Sequence, residues 1–165
     1  MKRRFPIWFR AYLLAAALAA LYVLCRPCLF VRSEGEWVAA APGVPGTAFS
    51  IHFLHSVQKT PVEEHFAVDG EERGFLLQWT RYQSFGVGLP FLASEGRFRK
   101  EGDFYVMDGM GRRFSRLSLR TGVGTKLSLR LQGREYRLYR QFPPGTRIDI
   151  FIAPLYRYWL PPDPE

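Results

Sequence analysis

From Trp37 onward the chain runs in short stretches where apolar and polar residues alternate with a period of two, a pattern that favours β-strands over every other element. Phe49, Ile51 and Phe53 alternate with Ser50, His52 and Leu54, and Val62, Glu64, Phe66 and Val68 alternate with Glu63, His65 and Ala67. Further runs occupy Phe75–Tyr82, Asp103–Met107, Phe114–Arg120, Lys126–Leu131, Tyr136–Arg140 and Thr146–Ile152. Between them DGMG, TGVGT, QGRE and PPGT hold the glycines and prolines that tight turns need. No segment after Trp37 carries the period of an amphipathic helix. The fold class read from this is all-β, an antiparallel sandwich or small barrel-like domain after an N-terminal transmembrane helix.

The N-terminus is of another kind. KRRFPIWFR leads into AYLLAAALAALYVLC and then RPCLFVR. The uncharged run Ala11–Cys25 is shorter than the roughly 20 residues that span hydrocarbon. Arg10 and Arg26 can snorkel, however, and Phe5, Trp8, Phe9 and Tyr22 suit the two interfaces. The basic cluster places the N-terminus in the cytoplasm, which makes a single-pass protein of the cytoplasmic membrane with a periplasmic C-terminal domain. A cleaved signal peptide, cut near Val31-Arg32-Ser33, is the rival reading. The expected division is 1–32 anchor, 33–155 extracytoplasmic β-domain and 156–165 irregular tail.

Charge follows the same division. Of 23 basic residues, six precede the first acidic one, Glu34, which leaves 17 against 15 acidic in the rest. The overall basicity therefore belongs mostly to the anchor, and a nucleic-acid partner is not expected. Cys25 and Cys28 form CRPC at the end of an apolar helix, where a redox CxxC would instead open one. Two thiolates are too few for a closed zinc site.

All three histidines of the chain fall in IHFLHSVQKTPVEEHF, Ile51–Phe66, beside Glu63 and Glu64. If the two strands pair by their apolar faces, Ile51 lies opposite Phe66 and His52 opposite His65. Glu63 shares that face, whereas His55 and Glu64 have the parity of the apolar face. The histidines then do not converge on a metal, although His52, His65 and Glu63 supply three ligands if their face is open. His55-Ser56 are sequence neighbours with no Gly-x-Ser-x-Gly elbow, a poor start for serine catalysis. The expected arrangement is a polar clamp across the hairpin mouth, with His55, Ser56, Lys59 and Thr60 around Glu64 as acceptor. A second motif, SFGVGLP, offers Gly86 and Gly88 for close backbone approach and Pro90 to stiffen the exit. It reads as a loop, or as an anion-binding nest beside the clamp.

HSVQKTPVEEHF followed by RYQSFGVGLPF resembles the bacterial family known as domain of unknown function 1850. The resemblance runs through His55, Ser56, Val57, Thr60, Pro61, Val62 and Glu64, then Tyr82, Ser84, Gly86, Gly88, Leu89 and Pro90. It implies an exported, membrane-associated accessory of tripartite ATP-independent periplasmic (TRAP) transporters of the TAXI type. The partners it implies are a TRAP permease or its solute receptor.

Pairing the strands across TGVGT and QGRE predicts a row of Arg116, Arg130 and Arg137 on one face, a solvated face relieved by salt and nearby Glu135 or else a surface that meets anionic headgroups or an acidic partner. Two functions are therefore expected of different kinds. The first is a non-enzymatic accessory that docks on a membrane partner and needs no cofactor. The alternative is a metal-dependent hydrolase or small-ligand-binding protein using His52, His55, His65 and Glu64.

Overall fold

A computed structural model describes residues 6–70, 74–84, 89–90, 92 and 94–160. Gly86 and Gly88 lie outside the described residues. The chain begins with helix α1, Ile7–Leu24, built of alanines and leucines that lose little on becoming helical. Pro6 caps its start and Pro27 prevents its continuation. No residue of α1 is buried, and it is long and apolar enough to cross a membrane.

Among the described residues twelve strands follow. A four-stranded antiparallel sheet has the order β2 (Glu36–Pro42), β1 (Pro27–Ser33), β12 (Arg147–Pro154), β9 (Arg116–Arg120). The larger sheet runs β11 (Arg134–Tyr136), β10 (Ser128–Leu131), β3 (Ala48–Leu54), β4 (Pro61–Val68), β5 (Phe75–Tyr82), β7 (Phe104–Asp108), β6 (Arg97–Glu101). The short β8 (Arg113–Phe114) adds to β5. A one-turn helix α2, Leu138–Gln141, and a 3-10 helix, Leu155–Trp159, complete the described elements. The tail expected to be irregular thus starts with a helical turn, and Tyr158 in it stacks on Trp37 at 5.3 Å.

The two sheets face each other across one core. Leu29, Val31, Ile148 and Ile150 from the small sheet meet Phe49, Ile51, Phe66 and Leu129 from the large one. A smaller apolar cluster of Val62, Tyr82 and Leu89, with Phe53 and Tyr105, sits toward one end of the large sheet. The architecture is an all-β sandwich after an N-terminal apolar helix, and no barrel closes.

Three expectations are corrected. The β3–β4 hairpin is displaced by two residues from the expected register: Phe49 pairs with Phe66, Ile51 with Glu64 and His52 with Glu63, so His65 faces Ser50. Since the shift is even, every side chain keeps its expected face. The row of arginines does not form, because TGVGT carries the chain between sheets: β9 pairs with β12, while β10 pairs with β3 and β11. Arg116 lies over Phe151 in the small sheet, Arg130 is opposite Glu135 in the large one, and Arg137 caps α2. Finally, residues 27–32, expected in the anchor, are the body of β1, with Leu29, Phe30 and Val31 fully buried.

The sandwich has two distinct poles. At one, Gly43 N–H donates to Pro27 O and Gly46 N–H to Val68 O, so the ends of β1, β2 and β4 gather where α1 leaves. At the other, Leu54 N–H donates to Thr125 O and Thr121 N–H to Thr146 O. Strand β3 crosses from the first pole to the second, six steps of about 3.3 Å, or about 20 Å.

Candidate functional site

The turn between β3 and β4 lies at the pole away from α1 and is organised by His55. Its Nδ1 accepts the N–H groups of Val57 (3.3 Å) and Gln58 (3.2 Å). The lone pair on Nδ1 is thereby committed, which puts the proton of the neutral ring on Nε2. The main chain of the same residue closes the loop: His55 N–H donates to Thr60 O and Lys59 N–H to His55 O, each at 2.9 Å. Lys59 takes a left-handed conformation, φ 56°, a strained backbone for a residue with a side chain. Ser56 and Val57 project from the tip into solvent.

The second motif meets the first. Thr60 Oγ1 and Ser84 Oγ share a hydrogen bond of 2.9 Å. Two residues earlier, Tyr82 is fully buried and its hydroxyl donates to Pro90 O. The family-like residues on either side of Gly86 and Gly88 are therefore tied to the turn at Thr60 and to each other through Tyr82 and Pro90.

Glu64 does not join this cluster. It lies three residues in from Pro61, at mid-strand, opposite Ile51 on one side and Thr80 on the other. Among the described residues no hydrogen bond links His55 or Lys59 to Glu64, so the expected clamp is a turn capped by a histidine and tied to a second loop. Burial pushes the Glu64 carboxyl up from its ordinary value of 4.5, with the Arg112 charge acting against it. Its neighbour Thr80 is fully buried and its hydroxyl has no hydrogen-bond partner. Glu64 and Thr80 form a polar strip between the two apolar clusters of the large sheet.

The outer face of that sheet carries the polar row expected from strand parity, with members from β3, β4 and β5. His52 Nε2 shares a hydrogen bond of 2.8 Å with Ser50 Oγ and lies 3.6 Å from Glu63 Oε1. Serine and glutamate meet the same ring nitrogen, so the three cannot act as nucleophile, base and orienting acid, which need both nitrogens. Burial holds His52 below its ordinary value of 6.5, against the raising effect of Glu63. His65 stacks flat on Trp79 at 4.8 Å, and among the described residues no three His, Cys, Asp or Glu side chains are placed to hold a metal ion. Cys25 and Cys28 are free thiols, one exposed and one half-buried.

Beside this row is a cleft of about 240 Å³ whose apolar wall includes Phe53, Pro61, Val62 and Phe104. Arg81 stacks over the Phe104 ring at 3.8 Å, and Lys126 stands at the rim. Neither Arg81 nor Lys126 was expected at a site, since each looks like an ordinary exposed residue of a strand or turn. The signal available in the sequence was local: Lys126 follows a glycine-rich turn, and it adopts φ 48°. The loops holding Val57 and Val123 join through the Leu54–Thr125 hydrogen bond, and both valines are open to solvent, at 72 % and 83 %.

Compared with known proteins, residues 49–138 match the family model described as Domain of unknown function (DUF1850). No curated protein and no solved structure matches the chain. The matched segment holds both motifs, the large sheet from β3 to β11, and β9; α1, β1, β2 and β12 lie outside it.

Proposed function

The chain belongs to the domain of unknown function 1850 family, and from that premise we propose that it is a membrane-anchored docking module whose recognition surface is the pole farthest from α1. Helix α1 acts as an uncleaved single-pass anchor, with its N-terminus in the cytoplasm and the sandwich in the periplasm. Cutting near Val31-Arg32-Ser33 would remove β1, an inner strand of the small sheet with three fully buried side chains. A cut at that site thus conflicts with the core.

The single observation that carries the docking reading is the pairing of Val57 and Val123 on hydrogen-bonded loops, exposed at the same pole. Exposed apolar side chains ringed by charge mark contact surfaces. Lys59 and Lys126 flank these valines, both in left-handed backbone of the kind that functional loops retain. The cleft beside them is smaller than the roughly 300–1,000 Å³ of small-molecule sites. Arg81 at its edge is 4.0 Å from Glu63, which leaves Lys126 as the rim cation facing an acidic side chain from a partner protein.

The partner is a TAXI-type TRAP transporter, and the position of the pole favours its soluble solute receptor over the membrane-embedded permease. The test uses tagged full-length protein purified from native membranes in mild detergent. A TRAP subunit is expected to co-purify, and Val57→Asp with Val123→Asp is expected to lower its recovery at least tenfold while the far-ultraviolet spectrum stays unchanged. Undiminished recovery would reject this surface, and the absence of any transporter subunit would reject the partner.

A further inference from the structure

The anchoring pole carries a feature that docking at the opposite pole does not use. The 3-10 helix Leu155–Trp159 packs against α1, and Leu155 N–H donates to Arg26 O at 2.9 Å, immediately after the membrane helix ends. It presents Tyr156, Tyr158, Trp159 and Leu160 to solvent, with Trp159 64 % exposed. Val44 adds a further exposed apolar side chain, next to Gly43, whose N–H binds Pro27 O. Large apolar and aromatic side chains left in water at one end of a domain call for an occupant.

We infer that this 3-10 helix is an interfacial foot that lies in the headgroup layer of the bilayer and fixes the sandwich upright on its anchor. The inference rests on the reading of α1 as a membrane span. An 18-residue helix is about 27 Å long, close to the roughly 30 Å of hydrocarbon, so its C-terminal end falls at the hydrocarbon boundary. Only Cys25 and Arg26 separate α1 from β1. Leu155, bonded to Arg26 at that end, then falls at the headgroup layer, and the segment runs on from there along the outer face of the small sheet. Tyrosine and tryptophan are the side chains that gain there, burying a ring while the hydroxyl or indole N–H stays hydrated.

The foot is also held to the domain. Tyr158 stacks on Trp37, which packs on Phe30 and Phe151 at 4.9 and 6.4 Å, so the segment is fixed to the outer face of the small sheet. Tilting the sandwich away from vertical would therefore pull Tyr156, Trp159 and Leu160 out of the interface or drive them through it. Asp69, near this pole, is ion-paired with Arg113 at 2.9 Å. Arg157 within the 3-10 helix and Arg26 at the end of α1 stand at the same place, so zwitterionic lipid is the medium in which the contribution of the aromatics is read apart from theirs.

The full-length chain is reconstituted in phosphatidylcholine vesicles brominated on the upper part of the acyl chains, where bromine quenches tryptophan at short range. Wild type is compared with Trp8→Phe and Trp159→Phe. Trp159 is largely exposed, so its replacement leaves the core intact. Both variants are expected to lose part of the quenchable emission, Trp8 reporting the inserted helix and Trp159 the foot. If Trp8→Phe loses quenching and Trp159→Phe does not, the helix is inserted but the foot is in water, and the inference falls alone. If neither substitution changes the quenching, α1 does not enter the bilayer and the anchor reading falls with it.

Discussion

Glu64 shows what one residue can settle. Its carboxyl sits on the inner face of a sheet between Ile51 and Thr80, and burial raises it above the ordinary glutamate value of 4.5. Above pH 4.5 the folded protein therefore holds a proton that the unfolded chain has released, and stability falls as pH rises through that interval. Glu64→Gln is expected to match wild type below pH 4.5 and to exceed it at neutral pH by about 1 kcal/mol, measured by denaturant titration at a series of pH values. A neutral-pH loss in the variant would instead mean that the carboxylate is paired in the folded state. His52 slopes the other way, since burial lowers it from 6.5 and its contribution, present above that value, is lost as pH falls. Both faces were legible from strand parity alone. The neighbours across the sheet were not, because Thr80 and Arg81 reach Glu64 and Glu63 through a pairing with β5 that no local pattern encodes.

At the scale of elements, the β3–β4 turn is the case where expectation and structure part. A clamp between His55 and Glu64 predicts strong coupling between the two, but mid-strand Glu64 stands about 10 Å along β4 from the turn. His55→Ala and Glu64→Ala are therefore expected to be additive within about 0.5 kcal/mol. Thr60→Val and Ser84→Ala share a direct hydrogen bond and are expected to be non-additive by about 0.5–1 kcal/mol in the same double-mutant cycle. Additivity at Thr60–Ser84 would uncouple the two motifs. The strand pattern led to the wrong register because it maximised apolar pairing, Ile51 with Phe66, whereas the loop closed by His55 and Thr60 sets a register two residues away. It also joined β9 to β10, since alternation tells which residues face inward but not which sheet they belong to. TGVGT looks like a hairpin turn and is a crossing between layers.

The whole molecule depends on a strand that reads as part of the anchor. Val31 and its neighbours are as apolar as a membrane segment, so composition alone could not separate β1 from α1; the break is made by Pro27 and by pairing with Pro154 far along the chain. A chain starting at Glu34 is expected to be insoluble or unfolded, whereas one starting at Arg26 is expected to fold with a cooperative thermal transition. A cooperative transition for the shorter chain would show that β1 is dispensable and would reopen signal cleavage. That α1 passes into β1 through Cys25 and Arg26 has a further consequence. Two residues reach at most about 7 Å, too little slack for the sandwich to swing or search. Under the proposed anchoring the protein would be a post and not a leash: it would select partners by stature, meeting those whose complementary surface stands one sandwich-height off the bilayer and missing others however well their chemistry fits.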